Sequence, residues 1–117
     1  MADLATLEDM IRRFCEQRDW DQFHRPKELA IGVVTEGAEL LDHFRFLDPD
    51  QQLEVLADPE KREQVENELA DVLFFTLRFA QRFNVDLATA LKRKIEINEA
   101  KYPVDISKGR NLKAQDL

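Results

Sequence analysis

The sequence predicts an all-α protein, a bundle built on four main helices, and three observations carry that prediction. Among 117 residues there are only 3 Gly and 4 Pro, too few for the turns of a β-sandwich or barrel. Long stretches lack both residues, and apolar side chains recur along them at the helical spacing of three and four. The chain is 44% hydrophobic and 35% charged, a balance that suits one small folded domain rather than a disordered segment.

The first helix is expected from about Leu7 to Arg18. Thr6 can cap it, Glu8 and Asp9 suit the positive end of its dipole, and Leu7, Ile11 and Phe14 form an apolar stripe. Residues 19–25 break that pattern with Trp20, Phe23 and His24. Pro26 then suits the first position of a second helix, where its missing N–H has no intrahelical partner to lose. That helix is expected to reach about Phe46, with Ala30, Val33, Gly37, Leu40 and Phe44 along one face.

Residues 47–60 are acidic and contain Asp-Pro twice, which reads as a connection holding one short helix near Gln51–Leu56. A third long helix follows from about Pro59 to Phe83, with Val65, Leu69, Val72, Thr76, Phe79 and Phe83 on its apolar face. Asn84, Val85 and Asp86 form a turn, Asp86 caps a fourth long helix reaching about Lys101, and Pro103 ends it. The polar remainder, 103–117, shows no period and is expected to be an extended tail. The whole chain, 1–117, thus reads as a single domain with its core at about 7–102.

A net charge of −7 argues against a surface for nucleic-acid polymers, although an acidic protein can hold a polyphosphate when metal ions carry the positive charge. The single cysteine, Cys15, cannot form an internal disulfide and falls within an apolar helix pattern. A buried thiol in a reducing, cytoplasmic compartment is the expectation. No apolar run approaches the roughly 18 residues of a membrane span. Phe74 and Leu77 fall away from the main stripe of the third long helix. They point to a homo-oligomer unless the first helix and the tail cover them.

The most informative feature is a short internal repeat. Val33-Val34-Thr35-Glu36-Gly37-Ala38-Glu39-Leu40-Leu41 aligns without gaps on Val65-Glu66-Asn67-Glu68-Leu69-Ala70-Asp71-Val72-Leu73. Each acidic pair is spaced i, i+3, so both carboxylates leave the same side of their helix. At about 100° per residue, Glu36 lies roughly 60° and Glu39 roughly 120° from Val33, and Glu68 and Asp71 take the same angles from Val65. Both helices carry their acids on one flank of the apolar stripe, and packing through those stripes would bring the four together.

Four carboxylates in one place repel and desolvate one another unless a cation sits between them. All the donors are oxygen, which selects Mg²⁺, or Mn²⁺, over zinc. Acids on solvated helix faces are the ordinary case in a chain with 24 Asp and Glu, but two pairs in matched frames at a core boundary are not. On the fourth long helix, Lys94, Asn98 and Lys101 fall within about 40° of the Leu87–Leu91 stripe. Their stems either snorkel to water or reach phosphate oxygens beside such a metal.

These residues resemble a known family. Glu36-x-x-Glu39 followed by Glu68-x-x-Asp71 is similar to the signature of the all-α nucleoside triphosphate pyrophosphohydrolases of the MazG-like superfamily. Trp20-Asp-Gln-Phe-His24-Arg-Pro-Lys-Glu-Leu resembles the dCTP pyrophosphatase branch, as does Lys94-Ile-Glu-Ile-Asn98-Glu-Ala-Lys101-Tyr102-Pro103-Val104. The resemblance spans roughly residues 19–104. It implies a four-helix-bundle-like MazG-type fold with oligomer-completing helices, as a dimer or a tetramer made of two dimers. It also implies that Glu36, Glu39, Glu68 and Asp71 bind Mg²⁺ while water attacks the α-phosphorus, Glu39 helping to orient or deprotonate it. Lys94, Asn98, Lys101 and Tyr102 match positions that hold phosphates or sugar, and Trp20, His24 and Phe46 match positions around the base.

Three departures stand out. Thr35 and Ala38 stand where glycine usually precedes each acid, Phe46 stands where Trp is common, and Phe75, which the resemblance places in the substrate-binding set, replaces a frequent Tyr and lacks its hydroxyl. The expected activity is hydrolysis of a nucleoside triphosphate, dCTP or a modified pyrimidine deoxynucleotide, to monophosphate and pyrophosphate in a nucleotide-pool housecleaning role. The alternatives are a dUTP or other triphosphate hydrolase of the same superfamily, and a non-enzymatic helical partner module. A di-iron carboxylate bundle would need Glu-x-x-His pairs, and neither His24 nor His43 follows a glutamate by three.

Overall fold

In the computed structural model, which describes residues 2–117, the regular structure is all helical, with no strand among the described residues. The elements are α1 (Leu4–Gln17), a 3₁₀ turn (Asp21–Phe23), α2 (Pro26–Asp42), α3 (Pro49–Ala57), α4 (Pro59–Arg82), α5 (Leu87–Lys101), α6 (Val104–Ser107) and a final 3₁₀ turn (Ala114–Asp116). The chain divides into two compact units, Met1–Asn84 and Val85–Leu117. No helix among the described residues is long and apolar enough to cross a membrane.

In the first unit α4 is the central element and packs against α1, α2 and α3. Its N-terminal half buries one face, through Val65. Its C-terminal half is enclosed on nearly every side, with Leu77, Arg78 and Ala80 buried and Phe74, Phe75, Thr76 and Phe79 half-buried. Phe74 and Leu77 are therefore covered inside the chain, lining a groove with Leu7, Met10 and Ile11 of α1. They no longer argue for an oligomer. That argument passes to α2, where Ile31, Val34, Ala38 and Leu41 form an exposed stripe, Val34 at 71%.

Local chemistry moves several boundaries. Asp3, rather than Thr6, caps α1: its Oδ1 accepts a hydrogen bond from the Thr6 backbone N–H at 2.9 Å, so the helix starts three residues early. α2 stops at Asp42 instead of continuing to Phe46. The amides of His43, Phe44 and Leu47 bond three residues back, the tighter winding of a helix end. α3 is longer than expected because Asp48 and Gln51 form a reciprocal capping box ahead of it. The ends of α1 and α4 use Asp19 (φ 54°) and Asn84 (φ 56°) as left-handed caps, a role these short polar side chains tolerate.

In the second unit Asp86 caps α5 as expected, Oδ1 accepting from the Thr89 amide at 3.1 Å and Oδ2 from its hydroxyl at 2.8 Å. Residues 103–117 are not extended throughout. Pro103 supplies the carbonyl that begins α6, since it accepts from the amides of Ile106 and Ser107, and a second turn forms at 114–116. Turns this short bury little and have no apolar period, which is why the sequence pattern does not reveal them.

Candidate active site

The site begins with the rotation of α2 about its axis. Leu29 and Gly32 are its fully buried residues, with Val33, Glu36 and Leu40 half-buried beside them. The buried face thus leans roughly 40° from Val33 toward the acidic flank. Gly32 permits this: a Cβ there would run into the Phe75 ring on α4. With no side chain at 32, the two backbones close up and Glu36 is carried into the α2–α4 interface.

Ligand oxygens of Glu36, Glu39 and Glu68 all lie within 4.8 Å of one another. Glu36 and Glu68 are half-buried, and one oxygen of each, Oε2, is buried with no hydrogen-bond partner. Buried carboxylate oxygens without donors are costly, and a hard cation is the partner that suits an all-oxygen set. The residues present therefore fit Mg²⁺. Asp71, exposed and one turn beyond Glu68, stands outside this close trio, but its charge raises the proton affinity of both Glu36 and Glu68.

The electrostatics follow from that crowding. The Glu36 carboxyl is pushed up to about 7, first by a proton shared with Glu39, then by burial and by the charges of Glu39, Asp71 and Glu68. Glu68 is also raised, mainly by burial and then by Glu39, with the nearby His43 opposing the rise. His43 Nε2 lies 3.7 Å from Glu68 Oε1. From the sequence, His43 bears only on the di-iron motif, which it does not complete. Its signal was the spacing Glu36, Glu39, His43, which puts all three on one face of α2.

The aromatic positions divide. Trp20 and His24 sit edge to face at 6.2 Å between ring centroids, and Phe14 links Trp20 (5.5 Å) to Phe74 (6.0 Å). Phe46 is 88% exposed, on the turns after α2, with the Arg45 guanidinium over its ring. Phe75 is half-buried against Gly32 and Phe74 and serves the helix crossing. In the second unit Lys94, Asn98 and Lys101 share one face of α5, and Tyr102 is its C-cap.

One polar group escaped the sequence reading. Arg78 is 1% exposed, and its guanidinium donates to Asp21 Oδ1, His24 Nδ1 (2.8 Å) and Gln81 Oε1 (2.6 Å). The signal was an arginine standing inside the apolar run from Val72 to Ala80.

Residues 31–117 match the model of the MazG-like family. The rat protein named dCTP pyrophosphatase 1 is 36% identical over 115 residues, 96% of this chain and 68% of the rat protein. The human protein of the same name is 34% identical over the same shares. A crystal structure from Archaeoglobus fulgidus DSM 4304, described as a pyrophosphatase, superposes with a TM-score of 0.81 at 38% identity, covering 88% of this chain and 94% of that one.

Proposed function

We propose that this chain, which belongs to the MazG-like family and is a nucleoside triphosphate pyrophosphohydrolase, uses Glu36, Glu39, Glu68 and Asp71 to bind Mg²⁺ and hydrolyse a pyrimidine deoxynucleoside triphosphate. dCTP or a modified form of it is the first candidate substrate, since the relatives named above bear that name. The observation that carries the metal assignment is the trio of carboxylates within 4.8 Å with two buried, unpartnered oxygens.

When bound, Mg²⁺ supplies positive charge for the phosphate oxygens and lowers the pKa of a coordinated water. The chain's own residues do the rest. Glu39, the exposed member of the trio, takes the proton of the attacking water. The water oxygen bonds to the α-phosphorus as the bridging Pα–O bond breaks, and pyrophosphate leaves with that electron pair. Glu36 and Glu68, held by the α2–α4 packing, keep the carboxylates in register. Trp20 offers a face for the base. Lys94, Asn98, Lys101 and Tyr102 are assigned the phosphates and sugar on the sequence pattern, and Phe46 a place near the base on the same ground.

The test is steady-state hydrolysis of the eight common NTPs and dNTPs and of modified cytosine deoxynucleotides, with Mg²⁺ and with a chelator. Pyrophosphate release that needs the metal and favours cytosine deoxynucleotides supports the reading. A preference for dUTP or a purine would replace the substrate assignment, and undiminished turnover in chelator would remove the metal.

A further inference from the structure

We propose that Arg78 is a positioning residue for base recognition, fixing His24 as the neutral imidazole with its proton on Nε2 and so presenting one fixed donor to a nucleobase acceptor. The proposal rests on the reading above that His24 lies at the base. It concerns the form in which His24 meets it.

Arg78 is itself 1% exposed, on a stretch of α4 where Leu77 and Ala80 are also buried, and its charge acts on the buried Cys15 thiol. A guanidinium in such a place is tolerated only when its charge and its N–H groups are answered. The Asp21 carboxylate answers the charge. Gln81 Oε1 accepts a second N–H, and Gln81 is itself anchored, donating to the Glu8 carbonyl of α1 at 2.6 Å. The Asp21 carbonyl is held in addition by Arg82 Nη2 at 3.3 Å. The guanidinium is thereby fixed from two sides, by Asp21 and Gln81, before it meets His24.

The remaining contact decides the imidazole. Arg78 Nε donates to His24 Nδ1 at 2.8 Å. A guanidinium has no acceptor and keeps its protons, so Nδ1 must offer a lone pair. An imidazolium would set two N–H groups and two positive charges against each other. The neutral ring therefore carries its proton on Nε2. The charged groups facing the ring agree in balance: burial, Arg78 and Arg82 lower the His24 pKa, and only Asp21 opposes them.

Nε2 has no hydrogen bond to a described residue and is not among the buried unpartnered atoms, so it is open to a ligand. Beside it stands the Trp20 ring, 38% exposed. A flat ring stacked on Trp20 with an acceptor turned to Nε2–H describes a nucleobase edge carrying a carbonyl oxygen or an unprotonated ring nitrogen. Cytosine offers both on one edge, its O2 carbonyl oxygen and its unprotonated N3, joined through C2.

Histidine-detected ¹H–¹⁵N NMR on the whole protein tests this directly, alongside steady-state kinetics of dCTP hydrolysis from pH 5.5 to 8. In the wild type His24 should show one Nε2–H tautomer and titrate below the ordinary 6.5, and the wild-type KM profile is the reference for the variants. In Arg78→Met, His24 should titrate closer to 6.5, and KM should rise toward pH 5.5 by up to about tenfold more than in the wild type, with the kcat profile unchanged. Arg78→Lys, which keeps a cationic donor, should restore both. The wild-type spectrum needs no variant: an Nδ1–H tautomer, or titration near 6.5, overturns the proposal. A locked tautomer with His24→Phe leaving KM unchanged also overturns it, and places the failure in the assignment of His24 to the base rather than in the Arg78 contact.

Discussion

At the residue scale, the decisive quantity is the charge that Glu36 cannot easily carry alone. Its carboxyl is raised from the ordinary 4.5 to about 7 by Glu39, burial, Asp71 and Glu68. A carboxyl whose folded value exceeds its unfolded one contributes stability that is present below 4.5 and is lost as pH rises through about 7. The metal-free protein should therefore melt at a lower temperature at pH 8 than at pH 5.5. Mg²⁺ should raise the melting temperature more at pH 8, because a bound cation replaces the missing proton. Glu36→Gln should raise the metal-free melting temperature at pH 8 while abolishing most of the Mg²⁺ response. Scanning fluorimetry at the two pH values checks this, and an equal Mg²⁺ shift in wild type and variant would count against the trio as the metal site.

At the element scale, the two glycines of α2 make opposite predictions. Gly32 meets the Phe75 ring, whereas a Cβ at Gly37 would have nothing within 4 Å. Gly32→Ala should be destabilising, because overpacking costs roughly 1–3 kcal/mol against a helix-propensity gain of about 1. Gly37→Ala should instead be stabilising by roughly 0.5–1 kcal/mol. Urea denaturation measures both, and equal effects would show that Gly32 is not the close-approach point. The same helix shows what the sequence could reveal. The i, i+3 spacing put Glu36, Glu39 and Glu68 in matched frames, and local spacing alone was enough. It did not reveal that α2 leans toward Gly32, because that angle depends on the Phe75 ring, forty-three positions away in a different helix. His43 beside Glu68 and Arg78 beside His24 were missed for the same reason: each contact joins elements distant in sequence. Helix ends were legible where a cap was local, as at Asp86, and misplaced where a nearer cap competed, as with Asp3 ahead of Thr6.

At the scale of the whole molecule, α2 buries one face on α4 and presents Ile31, Val34, Ala38 and Leu41 on the other. A small domain with such a stripe gains from covering it with a second copy. We expect a homo-oligomer, a dimer or a tetramer of two dimers, and expect Val34→Glu or Leu41→Glu to shift it to a smaller species in analytical ultracentrifugation. A wild-type monomer at micromolar concentration would remove that expectation. The placement of carboxylates on two facing helices matters more than the assembly, because it carries the chemistry. Its most direct test is ³¹P NMR of dCTP turnover with Mg²⁺ by the wild type and Glu36→Gln. That placement predicts equal amounts of dCMP and pyrophosphate from the wild type, and for the variant a loss above the ~10–100-fold typical when a group that only supports a metal ligand is changed. Release of orthophosphate by the wild type, or undiminished pyrophosphate release by Glu36→Gln, would contradict it.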